Sequence, residues 1–111
     1  MDIWYRVRDL ERARSFYVDV LGFRETYVDP DEGWTRLERN GVEISLAEGE
    51  PAGADAGEPV ASIVVGDVKA EAERLRDAGV NVGVVLEIPS AVRLLDVYDP
   101  DGNRIQLTED L

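Results

Sequence analysis

The chain has 111 residues, 24 of them acidic and 12 basic, a formal net charge of −12, and neither histidine nor cysteine. Lacking those two residue types, it has no imidazole base, no thiol nucleophile, no disulfide and none of the usual ligand sets for zinc, copper or non-haem iron. The acidic excess, with no Lys/Arg cluster among aromatics to offset it, argues against nucleic acid, and no stretch approaches the ~18 apolar residues of a membrane span.

With 44% hydrophobic residues the chain can bury a core as one domain. Its N-terminus lacks the basic-then-apolar layout of a signal peptide, so the expectation is a soluble, cytoplasmic protein. Lys69 is the single lysine among the basic residues. Such acidity fits either a strongly hydrated surface or a groove that attracts a cationic compound.

In chain order, Ile3 to Val7 reads as a short strand, and Asp9 is placed to cap a following helix. Leu10, Ala13, Tyr17, Val20 and Leu21 recur at helical spacing up to Gly22, a favoured left-handed terminator. Residues 23–28, 35–39 and 42–47 then read as strands, separated by the Asp29-Pro30-Asp31-Glu32-Gly33 turn and the Asn40-Gly41 hairpin signal. Residues 48–59, rich in Gly, Ala, Pro and acid, read as a linker. After it the order repeats: a strand over 60–65, a helix over 68–78 capped by Asp67 and stopped by Gly79, and strands near 82–88, 92–98 and 104–108.

The repeat is visible in the residues themselves. Val7-Arg8-Asp9-Leu10 returns as Val65-Gly66-Asp67-Val68, and the strand opened by Asn40-Gly41 returns as the one opened by Asp101-Gly102. Two βαβββ modules are implied, residues 1–47 and 60–111, in a single α+β domain spanning 1–111.

Three stretches carry a resemblance to a known family: Val7-Arg8-Asp9-Leu10 through Phe16-Tyr17 to Leu21-Gly22-Phe23, Gly66-Asp67-Val68 through Leu75 to Gly79-Val80, and Asp99-Pro100-Asp101-Gly102-Asn103-Arg104-Ile105-Gln106-Leu107. They resemble the vicinal oxygen chelate superfamily, which includes glyoxalase I, bleomycin resistance proteins, fosfomycin resistance enzymes and extradiol dioxygenases. The resemblance implies two βαβββ modules whose curved mixed sheets surround a cleft, paired within one chain or exchanged between the chains of a homodimer. Because each helix covers one sheet face, alternation leaves Asp2, Trp4 and Arg6 on the open face. With them go Glu43, Ser45 and Ala47, then Val60, Ser62 and Val64, then Arg104, Gln106 and Thr108.

Metal-dependent members of that family hold a divalent ion through His and Glu of the first and last module strands. Carried onto this chain, those positions fall on Asp2, Ser45, Val60 and Gln106, a set too poor in donors for a transition metal. A magnesium or calcium site from Asp2, Glu43 and Gln106 is disfavoured. The acidic turn after Val28 and the loop 99–103 need no ion either, since Pro, Gly and Asx residues close such turns locally. The expectation is therefore no metal and no cofactor.

The candidate ligand-binding residues are Asp2, Trp4, Arg6, Trp34, Glu43, Ser45, Ser62, Asp96, Tyr98, Arg104 and Gln106. Trp4 and Trp34 suit stacking on a planar or cationic compound, or plain packing. Arg6 and Arg104 require partners, either as ion pairs with Asp2, Glu43 or Asp96 or as forks for a ligand's carboxylate or phosphate. The leading expectation is a metal-free small-molecule binding protein that sequesters a cationic or aromatic compound such as an antibiotic. One alternative is a lyase, isomerase or dioxygenase-like enzyme with an atypical or absent metal site, with Asp2 as base and Arg6 or Arg104 stabilising an anion. Another is an interaction domain without a small ligand.

Overall fold

A computed structural model describes residues 3–29, 31–51 and 60–111, and each half of the repeat builds the same unit. The first runs β1 (Ile3–Val7), α1 (Leu10–Ser15), β2 (Arg24–Asp29), β3 (Trp34–Arg39) and β4 (Val42–Glu48). The second runs β5 (Ala61–Val64), α2 (Val68–Asp77), β6 (Asn81–Val82), β7 (Leu86–Ile88), β8 (Val92–Tyr98) and β9 (Arg104–Asp110). The expected strand near 82–88 is broken in two because residues 83–85 leave the ladder, Gly83 N still donating to Asp96 O while its carbonyl accepts from Arg76 Nη2. Most of the expected linker, residues 52–59, lies outside the described residues, as does Asp2.

Both helices start where the carboxylates stand. Asp9 Oδ1 accepts from Arg12 N at 3.1 Å, and Asp67 Oδ1 accepts from Ala70 N at 3.0 Å, each satisfying a donor the helix leaves free. Periodicity predicts an uninterrupted α-helix to Leu21, but Phe16–Val20 instead form a π-helical turn, closed by Leu21 N donating to Phe16 O at 3.1 Å. The wider turn keeps Tyr17 and Leu21 buried while Val18 and Asp19 face solvent. Gly22 and Gly79 then reverse the chain at φ of 76° and 80°, a conformation a Cβ would strain.

The strands form two mixed sheets, not one continuous sheet. The first has the order β1-β4-β3-β2; the second has β5-β9-β8-β6, with β7 also on β8. In each, the module's first strand pairs parallel with its last and the rest is antiparallel. Helix-side residues of both sheets, including Val7, Leu37 and Leu46 from one and Ile63, Leu95 and Leu107 from the other, join a single core with Tyr17 and Leu75. Burying side chains of this size stabilises by about 1.5–3 kcal/mol each, an upper estimate for a compact unfolded chain.

Polar groups tie the modules along that core. Tyr5 Oη donates to Arg104 O at 2.7 Å and accepts from Ala61 N at 2.9 Å. Asn103 Nδ2 donates to Arg6 O at 2.9 Å, and Arg39 bridges Leu21 O at 2.8 Å and Glu71 at 2.7 Å. Burial is the main cause raising the Tyr5 phenol above its ordinary range. Burial of Glu71 works the other way from its net shift, because Arg74 and Arg39 together hold its carboxyl below the usual value.

Candidate functional site

The first sheet keeps one face clear of its helix, and register decides what stands there. Trp4 pairs with Ser45, which pairs with Arg36, which pairs with Tyr27, so these four form one row across the sheet. Arg6, Ala47, Trp34 and Asp29 form the next. Strands β1 and β3 both flank β4, so their backbones lie roughly 10 Å apart. The intervening residues, Ser45 and Ala47, are small, and the two indoles therefore meet above them.

The Trp4 and Trp34 ring centroids are 5.5 Å apart with planes tilted by 49°, and Tyr27 continues the strip at 4.9 Å from Trp34 with a tilt of 36°. Trp4 and Tyr27 are each 48% exposed, whereas Ser45 beneath the rings is 4% exposed. The Arg36 guanidinium stands 5.4 Å from the centre of the Trp34 ring. Its Nε lies 3.6 Å from Glu43, so Glu43 pairs with Arg36 and not with Arg6 or Arg104 as the sequence suggested. The Arg6 side chain lies over Gly49, where an added Cβ would stand 3.0 Å from Nη1.

Tyr27 and Arg36 are the residues that sequence reasoning missed. Strict alternation from Phe23 places Tyr27 on the helix side with Glu25. A bulge between Glu25 and Tyr27 inserts Thr26 as an extra residue and turns Tyr27 to the open face opposite Arg36. No local signal marks such a bulge. Arg36 follows directly once Trp34 is known to share the open face, since the two are two residues apart on β3.

The second sheet's open face gathers the remaining candidates. Ser62 Oγ donates to Gln106 Oε1 at 3.0 Å, Gln106 Nε2 donates to Asp96 Oδ1 at 3.4 Å, and Arg104 Nη1 lies 3.9 Å from Asp96 Oδ2. Tyr98 pairs in register with Arg104, whose buried Nε has no partner among the described residues. Beyond this polar chain Val64, Thr108, Leu94 and Leu86 lie in register as a mostly apolar row, with Val64 and Leu86 more than half exposed. No side-chain hydrogen bond or ion pair among the described residues links the two open faces. A separate cleft of about 510 Å³ lies between Phe16 and Val20 on one module and Val80, Tyr98 and Pro100 on the other.

Of the family's metal positions, the three among the described residues do not fit a metal. Val60 carries no donor, Ser45 is covered by indoles, and the Gln106 amide is engaged by Ser62 and Asp96. Among the described residues no group of three or more carboxylates could hold an ion. Loop 99–103 is closed by its own groups: the Asp99 carboxylate accepts from Asp101 N, Asn103 N and Asn103 Nδ2, each at 2.9 Å. No helix among the described residues is long and apolar enough to cross a membrane.

Two βαβββ units with parallel first-to-last strand pairing and one uncovered face per sheet define a two-module α+β fold class. The family model for the Glyoxalase/Bleomycin resistance protein/Dioxygenase superfamily matches residues 3–107, and the chain belongs to that superfamily. Among solved structures it is 28% identical to TnmS3, an antibiotic binding protein from Streptomyces sp. CB03234, with a TM-score of 0.76 over 99% of this chain and 93% of that one. A superfamily member from Sphaerobacter thermophilus is 25% identical, with a TM-score of 0.80 over 98% and 94%. The fosfomycin resistance protein FosX from Listeria monocytogenes shares the fold, with a TM-score of 0.81 at 18% identity over 100% and 92%. No curated protein matches the sequence.

Proposed function

We propose that this protein binds an aromatic small molecule by stacking on the Trp4–Trp34–Tyr27 strip and holds it without a metal or a chemical step. The observation that carries the reading is an uncovered strip of three touching rings on the open sheet face, with two of the rings half exposed. Large apolar side chains left in water on a sheet face mark a binding surface. The 28% identity to an antibiotic binding protein supports an antibiotic-like ligand. We also propose a homodimer, in which a second copy covers the exposed apolar row on the second sheet and helps close the cleft.

Titration of tryptophan fluorescence with a panel of polycyclic antibiotics tests the first part. Saturable quenching is expected, with Trp4→Ala and Trp34→Ala each weakening affinity about tenfold. Absence of saturable quenching at high micromolar concentration removes the reading. Analytical ultracentrifugation tests the second part, and a stable monomer at micromolar concentration removes the dimer.

A further inference from the structure

We infer that the ligand is an acidic planar aromatic, a ring system carrying a carboxylate or similar anion, and not the cationic compound that the chain's overall charge suggests. This rests on the stacking reading above and adds the sign of the ligand's charge. The place over Trp34 where a ligand cation would sit is already held by Arg36 at 5.4 Å. An incoming ammonium on the strip therefore meets a like charge.

The geometry offers an anion the opposite reception. Arg36 lies in the row of Trp4 and Tyr27 and its guanidinium stands over the neighbouring Trp34 ring, while Arg6 starts from the row of Trp34 and its side chain lies over Gly49 past the end of that row. Among the described residues Arg36 touches one carboxylate, the half-exposed Glu43 on its Nε at 3.6 Å, and its two Nη groups have no acceptor. A planar acid stacked on the rings can present its two oxygens to that fork. The carboxylate at the other end of the strip, Asp29, is already engaged, accepting from Glu32 N at 3.1 Å and lying 3.4 Å from the Tyr27 hydroxyl. The net charge of −12 repels anions at a distance, but physiological salt confines that repulsion to about 8 Å, so contact with guanidinium groups decides.

Three ligands with the same ring system separate charge from stacking: naphthalene-2-carboxylate, 2-naphthalenemethanol and 2-naphthylmethylammonium, each titrated into the native protein by ligand-observed NMR. The carboxylate is expected to bind at least tenfold more tightly than the ammonium, with the alcohol between them. R36Q should remove most of that gap, while R36K should restore only part of the preference because it keeps the charge and loses the fork. Equal or tighter binding of the ammonium to the native protein, or a gap that survives R36Q, overturns the inference and leaves the stacking reading standing. If none of the three binds, the stacking reading falls and the inference falls with it.

Discussion

The Tyr17 hydroxyl, fully buried at the exit of the first helix, donates a 2.7 Å hydrogen bond to Asp99 Oδ2 in the loop before β9. Asp99 is itself only 5% exposed, and its oxygens receive this bond together with those from Asp101 N, Asn103 N and Asn103 Nδ2. A buried carboxylate is tolerated when its lone pairs are met in this way. The pair also joins the modules, because Tyr17 belongs to one and Asp99 to the other.

Removing the hydroxyl leaves that carboxylate short of a donor in a dry setting. Tyr17→Phe is expected to lower the unfolding free energy by about 1.5 to 3 kcal/mol, the range for a hydrogen bond to a charged group. Urea denaturation followed by circular dichroism measures it, and an unchanged midpoint would show that the bond contributes little.

The same phenol predicts how stability depends on alkaline pH. Burial, followed by the charge of Asp99, raises the Tyr17 ionisation well above the ordinary value of 10.0. The folded chain keeps the proton where the unfolded chain loses it, so this contribution is complete below pH 10 and disappears as pH rises beyond it. Urea midpoints at pH about 8 and about 11 should fall more steeply in the native protein than in Tyr17→Phe.

On the acidic side the responsive group is Glu25, which receives Arg14 Nε at 2.7 Å and Arg14 Nη2 at 2.8 Å. These bonds, and a Thr35 hydroxyl at 2.9 Å, hold its carboxyl below the ordinary 4.5 despite some burial. The stabilisation is present above that ordinary value and is lost as pH falls through the lowered one. Glu25→Gln should cost about 1 kcal/mol at neutral pH, since the pair is partly screened by solvent, and the difference from the native protein should vanish in acid.

The two helix caps predict matched losses. Asp9→Ala and Asp67→Ala each remove a side-chain acceptor from a helix N-terminus and should each cost about 1 kcal/mol. Thermal melts of the single and double variants check this, and the losses should add because the caps are separate and share no partner.

The aromatic strip depends on the small residues beneath it. Ser45→Leu places a branched side chain under indoles whose centroids are 5.5 Å apart, and should force them away from each other. The expected result is loss of the excitonic circular-dichroism signal of the tryptophan pair with the fold retained. Persistence of that signal would show that the rings meet without needing a small floor.

Much of the fold was legible because its signals are local. The Asp9 and Asp67 caps, the Gly22 and Gly79 stops and the apolar spacing of Leu10, Ala13 and Tyr17 each act within a few residues. Alternation on β1 likewise separated Trp4 and Arg6 from the buried Tyr5 and Val7. The candidate site was less legible. Its residues divide between two sheets, Ser45 became a covered floor, and Glu43 took Arg36 as its partner.

By itself, the sequence determined the repeated module, its element order and the superfamily, since caps, turns and periodicity are written within short windows. The tertiary structure alone decided that Trp4 and Trp34 meet over Ser45 and Ala47, that Tyr27 joins them, and that Arg36 stands above the rings. Those relations arise from strand order and from one bulge in cross-strand register, which depend on residues far apart in the chain.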